Sequence, residues 1–385
     1  MQTIETRRSL GRIVGGKVLG PAGWSEAAVH LSAGCIGDVP VAGQQLDARD
    51  CLVLPGIVDF HGDAFERQIM PRPKVSFSLD LAMRETDRQL AANGITTALH
   101  GVTHSWEGGL RGDATANALF AALDRLAPRL LVEHKVHLRY EAHHLAGEQQ
   151  ALDWLSTGRV SLLAFNDHLP GMRRKPHKWQ EWADRAETDL AGFEQRLEAA
   201  AERAAEVPAL IHRLATQARL HRVPMASHDD HSISVREFFQ NVDCRISEFP
   251  LQRDVAGYAR TQGSPVVCGA PNVLRGGSHV GAPRAADLAR DGLCSILASD
   301  YYYPAPLHAA CQLAADAVLP LEQAWALVSK HPAQALGLDD RGEIAVGKRA
   351  DLLVLDVRDL RAPRLLATVS GGRIVYLAEG ERLHA

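Results

Sequence analysis

The sequence predicts an α/β chain in which a (β/α)8 barrel carries a small β-sandwich assembled from both termini. Three observations carry that expectation. Eight short apolar segments in the middle of the chain alternate with helical stretches, the number that closes such a barrel. Most of these segments end in polar or charged residues rich in metal ligands: His61 and Asp63, Glu141, His168, His228 and Asp300. Finally, the two ends of the chain share a strand-and-turn texture that the middle lacks. In a barrel of this kind the C-terminal strand ends converge on one mouth, so ligands remote in sequence can reach one ion.

Taken in order, residues 10–54 alternate apolar and polar positions between glycine turns, the pattern of short antiparallel strands. The segments IVDFHGD, ITTALHGV, LLVEHKVHLRY, VSLLAFNDH, VPMASHDD, DCRISEFP, SPVVCGAPN and LCSILASD follow as barrel strands. Helices are expected between them, over 80–93, 114–126, 188–207 and 255–262. The longest insertion follows the fourth strand and opens with Arg173, Arg174, Lys175, His177 and Lys178. That basic run reads either as a solvated face or as a lid that grips a polyanion. From Gly342 the strand texture returns, so residues 1–54 and 342–385 are expected to form the sandwich and residues 55–341 the barrel.

Composition narrows the function classes. A chain of 385 residues with 46% hydrophobic content buries a large core. A net charge of -4 argues against non-specific nucleic-acid binding. Cys35, Cys51, Cys244, Cys268, Cys294 and Cys311 form no CxxC pair and sit mostly in apolar runs, as reduced thiols of a cytoplasmic protein do. Neither a cleavable leader nor an apolar stretch of about 18 residues is present, so secretion and membrane insertion are not expected.

The ligand types define the chemistry. His61 and Asp63 are two apart, and residues i and i+2 of a strand point the same way. With His168, His228 and Asp300 they offer imidazole and carboxylate donors, which suit zinc first and manganese or iron as alternatives, as one ion or two. Glu141 is placed to bridge a pair, which would lower the pKa of a shared water and clamp a phosphoryl or carbonyl oxygen. The depth of Asp59 favours a structural hydrogen bond. His100 and His104 read as substrate-facing or as packing, His143 and His144 as structural or surface, and Asp229 and Asp230 as outer-shell or alternative ligands behind His228. For the substrate, Arg275, Ser278 and His279 lie in a glycine-rich loop after the seventh strand, which either cradles phosphate or makes a turn. Arg139 lies on the Glu141 face, and Arg67 and Arg72 follow the first strand. Together with Arg173, Arg174 and Lys175, these cations suit a polyanion.

LPGIVDFHGD, the strand-eight Asp300 and GEIAVGKRADLLVLD resemble the amidohydrolase superfamily over nearly the whole chain. Within it, FHGDAFERQIMPRP, HLRYEAHH, NDHLPGM, ASHDD, ISEFP, GAPNVLRGGSHVG and LASDYYYPAPLHAA together resemble the α-D-ribose 1-methylphosphonate 5-triphosphate diphosphatases. The resemblance implies a metal-dependent phosphoanhydride hydrolase of phosphonate breakdown, releasing the ribose 5-phosphate and pyrophosphate. It implies that Glu141 replaces a carbamylated lysine, and that Asp300 is both metal ligand and proton-accepting base. Gly62, Ala64 and the two histidines of HGVTHS depart from the diphosphatase pattern and bear on the substrate more than on the chemistry. The rival expectations are carbon-nitrogen hydrolysis of a cyclic amide or nucleobase, and a scaffold without metal. A phosphorylated small molecule is the expected partner. A homodimer is the default expectation for a soluble enzyme of this kind, and association with phosphonate-degrading enzymes is compatible with the resemblance.

Overall fold

The computed structural model describes residues 9–278 and 281–385. Eight parallel strands follow one another around the barrel: β1 (Ile57–Gly62), β2 (Ile95–His104), β3 (Glu133–Glu141), β4 (Leu162–Asn166), β5 (Met225–His228), β6 (Ile246–Glu248), β7 (Val266–Gly269) and β8 (Ile296–Ala298). Each corresponds to one of the eight apolar segments. Val58, Phe60, Leu99, Leu162, Ala164, Ala226, Ile246, Val267, Ile296 and Ala298 fill the interior, and the intervening residues pack against the surrounding helices. The barrel is therefore a packed core, with a site possible only at its ends.

The seam between β8 and β1 is closed by three of the residues expected as ligands. Asp300 donates its N–H to the His61 carbonyl at 2.8 Å, and Asp63 donates to the Asp300 carbonyl at 2.9 Å. Behind them the buried Asp59 carboxylate accepts from Ser299 N at 2.9 Å and Ser299 Oγ at 2.6 Å, the structural role its depth predicts. Burial pushes Asp59 up to about 6, against the pull of the Ser299 bonds. The pairing register of β1 with β2 breaks between Asp59 and Gly62. Such an irregularity re-aims side chains, and here it turns His61 into the mouth although Phe60 already faces inward. Gly62 sits in this seam: a Cβ there would lie 2.7 Å from Asp59 Oδ2 and 2.9 Å from Ser299 Oγ. Gly62→Ala is therefore expected to cost about 1–3 kcal/mol of stability, read as a lower urea midpoint with an unchanged slope.

The helices largely match expectation, as with Leu79–Ala92, capped by Ser78, and Asp113–Leu126. The stretch over 188–207 differs. It is a helix over Leu190–Glu202, a 3-10 turn over Ala204–Glu206 and a new helix over Val207–Leu220. Pro208 has no N–H to extend the earlier ladder and is tolerated in the first turn of the new helix. The insertion after β4 has its own apolar cluster, Met172, Ala183, Ala186, Phe193 and Leu197, with Trp106, Trp179 and Trp182 packed on it. It is latched to the loop after β2 by the Arg185–Glu107 ion pair and by Arg196, which donates to the Glu107 carbonyl.

Both chain ends contribute to two further sheets. One runs in the order Leu383–His384, Gln44–Asp47, Leu10–Val14, Val29–Ser32, Cys35–Gly37. The other is Arg373–Leu377, Arg364–Ser370, Leu352–Asp356, Leu52–Pro55, Lys17–Gly20, Gly23–Ser25. Ile13, Leu31, Leu46, Val53, Leu352 and Val369 share one core between them. No helix among the described residues is long and apolar enough to cross a membrane.

Candidate metal centre

The mouth of the barrel gathers ligands from five strand ends and the turns behind them. Three sets have ligand atoms within 4.8 Å of one another: His61, Asp63 and Asp300; His168, His228 and Asp229; and His61, His228 and Glu248. The first two share no residue, and the third joins them. A cavity of about 220 Å³ opens onto them, lined by His61, His228, Asp229 and Asp300 together with Arg139, Arg275 and Ser278.

Local backbone geometry aims several of these groups. The residues just past β5, β6 and β8 are left-handed: Asp229 at φ 58°, Phe249 at φ 50° and Asp300 at φ 54°. Each costs about 1–3 kcal/mol of local strain and persists because the surrounding structure imposes it, a pattern that clusters at functional sites. At Asp229 and Asp300 the turn swings a carboxylate over the mouth.

The electrostatics call for a cation. Burial holds His61 well below its usual range, with the Arg139 charge adding to the effect, so its imidazole is neutral. His61 Nδ1 lies 3.1 Å from Oε1 of the fully buried Glu248, whose Oε2 lies 3.4 Å from His137 Nε2. Burial, reinforced by the Asp63 charge, raises Asp300 to about 7, and burial with the Glu66 charge also raises Asp63. Arg139 Nη1 is 3.3 Å from Asp63 Oδ2. Both ring nitrogens of His228 are buried and lack a hydrogen bond, although Nδ1 stands 3.4 Å from Asp229 Oδ2. Orphaned imidazole nitrogens facing a cluster of carboxylates fit a divalent ion with N and O ligands.

A profile of the amidohydrolase family matches residues 78–376. The chain is also 34% identical over 330 residues to the alpha-D-ribose 1-methylphosphonate 5-triphosphate diphosphatase of Escherichia coli (strain K12), covering 82% of this chain and 86% of that protein. The chain belongs to the amidohydrolase family. Among solved structures, molinate hydrolase is similar at TM-score 0.63 and 14% identity, covering 95% of this chain and 94% of that one. A triazine hydrolase variant is similar at TM-score 0.63 and 15% identity over 97% of each chain, and the D-hydantoinase of Bacillus sp. AR9 at TM-score 0.58 and 12% identity over 95% of each. At these identities the structures share the fold.

Against the amidohydrolase frame, the expected residues divide. His61, Asp63, His168, His228 and Asp300 all reach the mouth. Glu141 lies behind them: its Oε1 is 2.5 Å from His168 Nδ1, and its Oε2 accepts from His168 N at 3.3 Å. Burial disfavours charge on both groups, yet their mutual attraction holds Glu141 down at about 2 and, with the Asp229 carboxylate also facing the ring, lifts His168 to about 10. Arg139 and Ser278 line the cavity, as does Arg275, whose Nη1 donates to Tyr301 Oη at 3.2 Å. Gly276, at φ 73°, terminates the helix Ala270–Arg275, so this glycine makes a turn. His279 lies outside the described residues. Arg173, Arg174 and Lys175 are exposed and do not line the cavity, and Arg173 pairs with Glu198 at 3.0 Å.

Two residues beside the expected ligands, Glu248 and His137, are not among those the sequence singles out. Glu248 ends β6 as the other ligands end their strands, which was the available signal, but Phe249 and Pro250 make ISEFP read as apolar. His137 lies in the interior of β3, two residues before Arg139 on the same face, where its parity was the only clue. Of the two readings open for Asp229, outer-shell or alternative ligand, the geometry favours the second, since it joins His168 and His228 directly. Asp230 instead turns away to accept from Ser227 Oγ at 2.6 Å and Ser247 Oγ at 2.9 Å. His100 faces the helix layer and shares a 2.8 Å hydrogen bond with His134.

Proposed function

We propose that this amidohydrolase is a metal-dependent phosphoanhydride hydrolase that cleaves α-D-ribose 1-methylphosphonate 5-triphosphate to its 5-phosphate and pyrophosphate. The observation that carries the proposal is one cavity that joins the ligand sets to Arg139, Arg275 and Ser278, so that cation-binding and anion-binding groups line the same space. The similarity to the Escherichia coli diphosphatase supports the substrate class.

His61, Asp63 and Asp300 would hold one ion, and His168, His228 and Asp229 a second, with zinc the best match to the donors. When bound, such ions polarise a phosphoryl oxygen and lower the pKa of water at the site. The chain's own groups do the rest. Glu141 fixes the ring of His168, and Glu248 fixes that of His61, which leaves each outer nitrogen aimed at the mouth. Asp300 accepts the proton from the attacking water as its oxygen bonds to the phosphorus nearest the ribose. The bond to the bridging oxygen of pyrophosphate then breaks, and Arg275 offsets the charge gathering on that leaving group. Arg139, already against Asp63, keeps the metal-side carboxylates from repelling the triphosphate. Core placement of five of the six cysteines supports a reducing, cytoplasmic setting.

Phosphorus NMR of the zinc-loaded protein tests the proposal, with the ribose phosphonate triphosphate, ATP, cyclic amides and nucleobases as substrates. Pyrophosphate release selective for the ribose compound is expected. Turnover of an amide or nucleobase with no phosphorus product would replace it with carbon-nitrogen hydrolysis. Arg275→Ala is expected to lower kcat for the triphosphate roughly 10- to 100-fold, the loss of a charge-assisted hydrogen bond that strengthens as charge gathers on the leaving group, and to raise KM less. Steady-state kinetics at fixed ionic strength check this.

A further inference from the structure

One of the two histidines that set HGVTHS apart, His104, meets two further ligands outside the mouth. Gly101 faces inward, since a Cβ there would stand 3.4 Å from His61 Nε2, so His104, three residues on, faces the helix layer. His104 is fully buried between Tyr140 and Trp154, with ring centroids 5.5 Å and 4.9 Å away. The turn after β3 brings His144 to it, with ring centroids 4.6 Å apart at 90°. Tyr140 Oη anchors that turn by donating to the His144 carbonyl. Asp113, the first residue of the helix after β2, completes the group: its Oδ1 is 2.7 Å from His104 Nε2 and 2.6 Å from His144 Nε2.

We propose that His104, His144 and Asp113 form a second metal site, separate from the barrel mouth, that takes a borderline divalent ion such as zinc. Two imidazole nitrogens and one carboxylate oxygen within 4.8 Å of one another are a three-ligand set of the right chemistry. His144 shares a hydrogen bond with Asp113, but the His104 contact is not aligned as one, so both nitrogens of this fully buried ring lack a hydrogen-bond partner. A ring desolvated without hydrogen bonds carries a cost that a metal bond at Nε2 would offset. The cradle depends on Gly147, where a Cβ would fall 2.4 Å from His144 Nε2 and 2.6 Å from His104 Cε1. Tetrahedral zinc with bonds near 2.0–2.1 Å spaces its ligand atoms by roughly 3.3 Å, so the carboxylate must retreat by about 0.6 Å. The Asp113 side chain is 51% exposed and free to do so, and its exposure gives the ion a way in and leaves room for water as fourth ligand. Bound there, the ion would tie the end of β2 and the turn after β3, where His144 lies three residues beyond Glu141, to the helix Asp113–Leu126.

Counting ions in the full chain tests this. Metal-depleted wild type, Asp113→Asn and His144→Gln are reloaded with zinc, desalted and measured by plasma mass spectrometry, with near-ultraviolet circular dichroism as the check on folding. Each variant is expected to hold one equivalent fewer than wild type. Asp113→Asn replaces a half-exposed carboxylate by its isostere, so its result stands even where His144→Gln fails to fold. Stoichiometry unchanged in Asp113→Asn, or a loss of every ion from a folded variant, overturns the proposal.

Discussion

Asp300→Asn is expected to lower the rate of pyrophosphate release by roughly 10²- to 10⁴-fold while leaving the barrel folded. The backbone of Asp300 and its side chain do separate jobs. Its N–H and carbonyl close the seam between β8 and β1 through His61 and Asp63, and its φ of 54° needs a residue that tolerates the left-handed region. Asparagine does so nearly as well as aspartate and preserves both bonds. What it removes is the carboxylate, and with it both a proton acceptor and one of the three ligands in the set His61, Asp63 and Asp300. Without metal that carboxylate is a burden: burial and the neighbouring Asp63 charge already push it up to about 7. A thermal midpoint equal to or above wild type in metal-free Asp300→Asn, together with lost turnover, would separate catalysis from folding. Activity within tenfold of wild type would remove Asp300 from the role of base.

The part of the molecule legible in sequence was the part that repeats. Eight apolar runs of strand length, most of them ending in a polar group, point to both the strand count and the end at which the ligands gather, because the period of two and the parallel topology do the rest. The i, i+2 spacing placed His61 and Asp63 together, although they reach the mouth by way of a register break in β1 that alternation alone does not encode. The sequence does not divide His100 and His104 between substrate and packing, because parity is measured against a neighbour of known direction. Once Gly101 is seen to face inward, both turn outward. The place of Glu141 at the end of the third strand, like the resemblance to a bridging lysine, suggests a ligand, and its first partner in the structure is the His168 ring at 2.5 Å, a contact set by the register of β3 and β4. Arg173, Arg174 and Lys175 clustered in sequence close to His168. The helical insertion buries its tryptophans and phenylalanine on one side and leaves these cations exposed, so proximity along the chain did not become proximity to the cavity.

Glu248→Gln is expected to separate two properties that core substitutions move together. Glutamine keeps the volume of the fully buried side chain and can still serve both neighbours: its carbonyl oxygen accepts from His61 Nδ1, and its amide donates to His137 Nε2. The second bond asks His137 to carry its proton on Nδ1, which has no other hydrogen-bond partner, so the change of tautomer breaks nothing. Burial keeps both imidazoles neutral, and no cationic side chain pairs with Glu248 among the described residues. Metal-free Glu248→Gln should therefore melt at or slightly above the wild-type temperature, because a buried carboxylate without a cation is exchanged for a neutral amide. With metal the order reverses. The carboxylate raises the basicity of His61, and itself stands in ligand range of His61 and His228, so its loss should weaken zinc binding 10- to 100-fold. By linkage, each tenfold loss of affinity removes about 1.4 kcal/mol of zinc-induced stabilisation at saturating zinc. Melting both proteins with and without zinc reads the two effects in one experiment. An equal zinc-induced rise in both would make Glu248 a packing residue, whereas a smaller rise on an unchanged baseline makes it part of the metal centre.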